Sequence, residues 1–206
     1  VGSGGGAVAE HDDVGLARSG ERLVAVGQRG HVLLSDDQGK SWRQAEVPVS
    51  SDLVAVAFPS ADQGWAVGHD GIVLRSSDAG ASWTRVLDGR QAGALMVEHY
   101  RREAANAGDA ARAAALLKEA ERFAAQGAEN PFLDVAFENA KTGYLVGAFG
   151  LIFRTTDGGA SWQPLLHATE NPKALHLYAV RSVGGETYIA GEQGLLLKLD
   201  RGTGQF

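Results

Sequence analysis

The sequence contains no cysteine, and this absence removes several kinds of structure at once. Disulfides, thiolate metal sites and a cysteine nucleophile are all excluded. Long apolar runs are also absent: no stretch reaches about 18 apolar residues, so we expect no membrane-spanning segment. Basic runs are missing too, and the net charge is −6. Nucleic-acid-binding proteins usually carry a basic stripe, so this balance argues against a nucleic-acid partner.

Motifs for metals, phosphates and nucleophiles are equally scarce. The six histidines show no metal-ligand spacing, and neither a phosphate-binding loop nor a nucleophile elbow occurs. We therefore predict no metal, no cofactor and no catalytic residue.

The first residues are small and glycine-rich, and we expect residues 1–13 to form a flexible N-terminal segment. Ala7-Val8-Ala9 is similar to the cleavage site of an export signal. No basic or apolar region precedes it, so the signal peptide itself is not in this chain. The alternative is that the stretch from Gly2 to Gly6 is a linker.

Glycine is abundant, with 28 residues, and much of it lies in a motif that occurs four times. Each copy reads as two apolar runs joined by Gly-x-x-Gly, which predicts a hairpin because glycine accepts positive φ without steric cost. The motif begins at Val26, Val67, Val146 and Ala190.

A second motif, Ser/Thr-x-Asp-x-Gly-x-x-Trp, follows three of these hairpins directly. The aspartate can accept backbone N–H groups across a turn, and the tryptophan can cover that turn with apolar surface. Catalysis or metal binding by the aspartates is the alternative, but a residue that recurs in every repeat favours a structural role. The structural set is Asp37, Gly39 and Trp42; Asp78, Gly80 and Trp83; and Asp157, Gly159 and Trp162. The fourth copy keeps only Asp200 and Gly202, and its tryptophan is missing.

The spacing of the copies predicts an all-β fold, a β-propeller of four-stranded blades over residues 14–206. Gly27 and Gly68 are 41 residues apart, and Gly147 and Gly191 are 44 apart, which is the length of one blade. Four blades is the low end for a propeller. We therefore favour a fragment of a longer chain over closure by the N-terminal segment.

Residues 91–130 interrupt the repeat with an alanine-rich sequence of different character. We predict an inserted helical hairpin with helices at 95–107 and 110–125, where Asp109 caps the second helix. Two interpretations remain open: a hairpin that packs on the blades, and a docking arm for a partner.

The segment from Asp134 to Trp162 resembles the photosystem II stability and assembly factor family of Asp-box propellers. The chain is identified as a non-photosynthetic bacterial member. The resemblance implies a seven-bladed disc, export to the periplasm and binding of a membrane-protein subunit during assembly, without catalysis.

Our hypothesis is a non-catalytic scaffold that binds another protein, one associated with a membrane, through one face of the propeller. The residues between the paired glycines differ most among the repeats, so we predict that they contact the partner. They are Gln28, Arg29, His69, Asp70, Ala148, Phe149, Glu192 and Gln193. Phe149 could equally pack against the insertion.

Two alternatives place the site in blades that this chain lacks. One is a glycosidase similar to sialidases, which also carry Asp-box repeats, although no Arg-Ile-Pro motif occurs here. The other is a carbohydrate-binding propeller. For that role only Trp65 is free of the repeat, and its strand position favours core packing.

Overall fold

The computed structural model describes residues 15–206, and the N-terminal segment 1–13 with its cleavage-site pattern lies outside the described residues. The described chain forms four antiparallel sheets, each of which we call a blade. Blade 1 consists of β1 (Gly15–Ser19), β2 (Arg22–Val26), β3 (Val32–Ser35) and β4 (Arg43–Gln44). Blade 2 consists of β5 (Leu53–Ala57), β6 (Gly64–Gly68), β7 (Val73–Ser76) and β8 (Thr84–Leu87).

Two helices separate blade 2 from the remaining blades. They are α1 (Gly89–Asn106) and α2 (Ala110–Gln126). Blade 3 consists of β9 (Phe132–Phe137), β10 (Gly143–Gly147), β11 (Ile152–Thr155) and β12 (Gln163–Pro164). Blade 4 has three strands: β13 (Leu177–Val183), β14 (Glu186–Gly191) and β15 (Leu196–Lys198). The predicted fold, part of a β-propeller with a helical insertion, is confirmed.

The blades pack face to face, and the alternation of side chains along a single strand builds both faces. In β7, Val73 lies in the apolar cluster shared with blade 3, whereas Leu74 lies in the cluster shared with blade 1. Successive side chains of a strand point to opposite sides of the sheet, so every blade carries apolar residues at adjacent positions.

The Asp-box tryptophans reach toward the preceding blade. Trp162 of blade 3 meets the Trp65 ring of blade 2 edge-on, with centroids 5.6 Å apart. Trp83 is 4% exposed in the cluster that holds Val24 of blade 1. Trp42 is 41% exposed, because the described residues contain no blade before blade 1.

The fourth repeat keeps an aromatic residue in place of the tryptophan that its sequence lacks. Phe206 is buried and meets Tyr144 of blade 3 edge-on at 5.5 Å, as Trp162 meets Trp65. Its backbone N–H also donates to the Ala168 carbonyl, in the loop between blades 3 and 4, at 2.7 Å. The phenylalanine stands six residues after Asp200 instead of five, so pattern matching missed it.

Helix α1 begins at Gly89, six residues before the predicted start at Leu95. Asp88 caps it: its carboxylate accepts the Gln91 N–H, and the Gln91 side chain accepts the Asp88 N–H. Gly93, a poor helix former, lies in the part of α1 that the prediction left out. Glycine is needed there because a Cβ would lie 2.7 Å from the Ala124 Cα of α2.

Candidate functional site

Each Gly-x-x-Gly segment forms a short turn at the end of its blade, which we call a tip. In all four tips the N–H after the second glycine donates to the carbonyl of the first enclosed residue, at 3.0–3.1 Å. Those carbonyls belong to Gln28, His69, Ala148 and Glu192. The four tips therefore share one backbone conformation and differ only in the side chains that they present.

The second enclosed residue of every tip has a left-handed backbone although it is not glycine. The φ angles are 54° at Arg29, 58° at Asp70, 54° at Phe149 and 57° at Gln193. This conformation costs an L-residue about 1–2 kcal/mol, and glycine would adopt it without that penalty. The equivalent left-handed position of the Asp-box turns is Gln38, Ala79 or Gly158, so glycine occurs there once, whereas none of the four tips has it.

Two of the strained residues are held by the segment that leads into the next blade. The Arg29 N–H donates to Asp52 Oδ1 at 2.8 Å, and the Phe149 N–H donates to His176 Nδ1 at 3.1 Å. These bonds fix the tip backbone, so the side chains project from a rigid support.

The helical hairpin lies on the same edge of the blades as the tips. Strand β8 leads into α1 at the edge where Val73 follows tip 2, since Leu87 pairs with Val73. A Cβ on Gly71 of that tip would lie 2.5 Å from the Gly89 Cα. On α2, the Arg122 guanidinium lies 5.6 Å from the centre of the Phe149 ring.

The Asp-box turns lie at the opposite edge, because they follow the ends of the strands that start at the tips. Asp157 Oδ1 accepts the Ser161 N–H and the Thr155 hydroxyl, and Oδ2 accepts the Ser161 hydroxyl, at 2.6–2.9 Å. Asp37 and Asp78 bind equivalent groups in their own turns. Hydrogen bonding, first from the serine hydroxyl, lowers the pKa of Asp37 and of Asp157 to about 2.

Most of the predicted contact residues are at the surface of the tips. Six of them are exposed and Glu192 is half-buried, whereas Ala148 is buried at 4% exposure. The prediction is wrong for the Ala148 side chain, which packs under the tip instead of facing solvent. Phe149 is 41% exposed, as a contact with a partner requires, and its ring also lies beside Arg122 of the insertion. The ring therefore has both an exposed side and a side that faces the insertion.

Sequence reasoning missed a row of aromatic rings beside Phe149. The His176 ring lies 4.7 Å from the Phe149 ring and 6.2 Å from the Tyr178 ring, and Tyr178 is 52% exposed. These two residues lie outside the Gly-x-x-Gly and Asp-box motifs, so comparison of the repeats did not single them out. Next to the row, a groove of about 230 Å³ runs between α2 and the loop 169–174.

Within residues 15–206, no helix is long and apolar enough to cross a membrane, and no group of three or more potential ligand side chains could hold a metal ion. The three Asp-box aspartates, which could suggest metal binding, are each occupied by hydrogen bonds within their own turn.

The model of one protein family, described as the photosynthesis system II assembly factor YCF48, matches residues 10–97 and 116–205. The residues between the two matched parts, 98–115, fall within the helical hairpin. The photosystem II assembly lipoprotein Ycf48 of Synechococcus sp. (strain CC9902) is 38% identical over 68 residues, which are 33% of this chain and 20% of that protein.

Solved structures share the fold at low sequence identity. A structure of YCF48 bound to D1 peptide has a TM-score of 0.56 at 17% identity, and the match covers 93% of this chain and 51% of that one. The GH74 enzyme of Niastella koreensis has a TM-score of 0.58 at 14% identity, with 94% and 29% covered. The chain thus spans about half the length of the YCF48 structure. Repeats, blades and family model agree, and the chain belongs to the photosynthesis system II assembly factor YCF48 family.

Proposed function

We propose that the chain is a scaffold that binds another protein through its tip surface, defined as the exposed side chains of the four tips with the adjoining face of the helical hairpin. The observation that carries the proposal is the left-handed backbone at Arg29, Asp70, Phe149 and Gln193. Four different side chains occupy positions where glycine would be easier to accommodate, and all four are exposed. No tip uses glycine at this position, whereas the Asp-box turn of blade 3 does, at Gly158.

The side chains of the tip surface favour a protein partner. Phe149 offers an exposed aromatic ring on a fixed backbone, with the Arg122 guanidinium beside it. Aromatic and arginine side chains on rigid supports are enriched among the residues that dominate binding energy. The structure of a YCF48 bound to a D1 peptide is consistent with a polypeptide ligand in this family.

We propose further that the partner is a membrane protein or membrane complex and that the chain is exported to the periplasm. The support is the lipoprotein in the name of the Synechococcus relative, together with the Ala7-Val8-Ala9 pattern. Fractionation of the source bacterium with an antibody against this chain tests the location. Recovery in the periplasmic or membrane fraction is expected, and recovery in the cytoplasmic fraction alone would refute it.

We propose that the chain has no catalytic role. Its three repeated carboxylates are held within turns at the edge opposite the tips and the groove. A glycosidase needs two carboxylates placed across a substrate bond, or a tyrosine nucleophile with a partner acid. Turnover of a polysaccharide or of a sialoside by this chain would overturn this part of the proposal.

Capture of partners from solubilised membranes of the source bacterium tests the scaffold. The bait is the whole chain, either unchanged or with Arg29→Gly, Asp70→Gly, Phe149→Gly and Gln193→Gly combined. The control is Gln38→Gly, because Gln38 has the same left-handed backbone, φ 61°, in the Asp-box turn of blade 1.

We expect the unchanged chain and the Gln38→Gly control to retain the same protein and the four-tip variant to lose it. Equal capture by all three would exclude the tip surface as the binding site.

A further inference from the structure

Three separate elements meet at His167, in the loop that follows β12. The Tyr100 hydroxyl of α1 lies 3.1 Å from His167 Nδ1 and accepts the His167 backbone N–H at 3.4 Å. Arg112 of α2 donates to the His167 carbonyl at 2.9 Å. Both helices of the insertion are therefore joined to blade 3 through one residue.

Two imidazole rings stack at this junction. The His99 ring of α1 lies 5.8 Å from the His167 ring, with 24° between their planes, and meets Tyr100 edge-on at 4.8 Å. Tyr100 is 1% exposed, and its hydroxyl can donate only to a neutral Nδ1 of His167. We call His99, Tyr100 and His167 the histidine clasp.

The clasp favours neutral rings because protonation of either histidine would disrupt its contacts with its neighbours. A proton on His167 Nδ1 would remove the acceptor of the Tyr100 hydroxyl. The Nε2 atom of His99 is buried without a hydrogen-bond partner among the described residues, so a proton there would be a buried donor with no acceptor. Two charged rings in contact would also repel each other.

Charged groups from both helices surround the two rings. They are Arg102 and Glu103 on α1, Asp109 at the N-cap of α2, and Arg112 on α2. Glu103, Asp109 and Arg112 line the same pocket as His167. Burial is the largest effect and lowers the pKa of His99 and of His167 below the ordinary histidine value. The charge on His99 lowers the pKa of His167 further, and Glu103 opposes both changes without reversing them.

The sign of the pH effect follows from these directions. Above the ordinary histidine pKa, near 6.5, the rings are neutral whether the hairpin is attached or released. Below it, a released hairpin binds protons that the attached one excludes, so the attached state loses stability as the pH falls. The loss continues until the lowered pKa values of the attached state are reached.

We propose that the histidine clasp is a pH-sensitive attachment that holds the helical hairpin against blade 3 when both rings are neutral and releases it on acidification. Release would move α2, and with it Arg122, away from Phe149 of the tip surface. The proposal concerns the attachment of the hairpin and holds whether or not the tip surface binds a protein.

Hydrogen exchange of the α1 amides in the whole chain between pH 7.5 and 5.5, corrected for intrinsic exchange rates, tests the proposal. Opening of α1 should increase as the pH falls over this interval, by at most about tenfold if one histidine titrates and at most about a hundredfold if both do. The amides of β2 in blade 1 report global unfolding, and the free energy of opening of α1 should stay below theirs at every pH. The matched variants are His99→Phe, which keeps a stacking ring, and His167→Asn, which keeps an acceptor near the Nδ1 position.

Each variant should reduce the pH dependence and the double variant should abolish it, whereas His31→Asn at an exposed site of blade 1 should leave it unchanged. Three results would overturn the proposal: opening of α1 that does not vary with pH, the same pH dependence in the double variant, or a free energy of opening of α1 equal to that of β2.

Discussion

Replacing one Asp-box tryptophan at a time tests whether these residues stabilise the contact between blades. Trp83 is 4% exposed against blade 1, whereas Trp42 occupies the equivalent position of blade 1 and is 41% exposed. A buried aromatic side chain removes about 150–250 Å² from water, which at about 25 cal/mol per Å² is about 4–6 kcal/mol. Trp42 keeps about three fifths of that burial, which corresponds to about 2–4 kcal/mol. Because this side chain is partly open to solvent, its truncation would not leave a closed cavity.

We therefore expect Trp83→Ala to lower the free energy of unfolding by about 2 kcal/mol more than Trp42→Ala does. Each indole also donates to a glycine carbonyl of its own turn, at 2.9 Å for Trp83 and 3.2 Å for Trp42, so this bond does not explain a difference. Urea denaturation followed by circular dichroism measures both values. A difference of about 2 kcal/mol shifts the thermal midpoint by roughly 4–8 °C for a domain of this size. Equal losses in the two variants would refute the assignment of these residues to the interface between blades.

Two further predictions concern the turns. Gly68→Ala should destabilise the chain by about 1–3 kcal/mol, because the new Cβ would lie 2.0 Å from the Asp52 carbonyl oxygen. Gly27 occupies the equivalent position of the first tip, and a Cβ there would meet nothing within 4 Å. Gly27→Ala should therefore be almost neutral in the same denaturation assay. Asp157 has its pKa lowered to about 2, so its contribution to stability is complete above its ordinary value of 3.8 and is lost as the pH falls through 2. In an acid titration, Asp157→Asn should not show this loss of stability. An acid transition identical to that of the unchanged chain would contradict the hydrogen bonds that Ser161 donates to Asp157.

The repeats made the blades predictable because each motif carries its own local cause. Paired glycines specify the tips, and an aspartate followed by glycine and tryptophan specifies the turn at the other edge. Both features are local in sequence, so no knowledge of long-range contacts was needed. The same reasoning predicted that Trp65 belongs to the core, where it is 1% exposed.

Long-range packing determined what the sequence pattern missed. Phe206 is recognisable only through its contact with Tyr144, which lies 62 residues earlier. The start of α1 depends on contact between Gly93 and Ala124, which overrides the poor helix propensity of glycine. The histidine clasp joins residues from α1 and from the loop after β12, and no spacing rule connects them.

The central claim is that the tip side chains are present for binding and not for folding. The most direct measurement determines affinity and stability together, on Phe149→Gly and Gln38→Gly prepared side by side, with the captured partner as ligand. Glycine relieves left-handed strain at both positions, so the free energy of unfolding should stay within about 1 kcal/mol of the unchanged chain or rise. We expect Phe149→Gly to weaken binding by at least about tenfold and Gln38→Gly to leave it unchanged. Unchanged affinity in Phe149→Gly, or a loss of stability that explains its weaker binding, would show that the tip side chains are not there for binding.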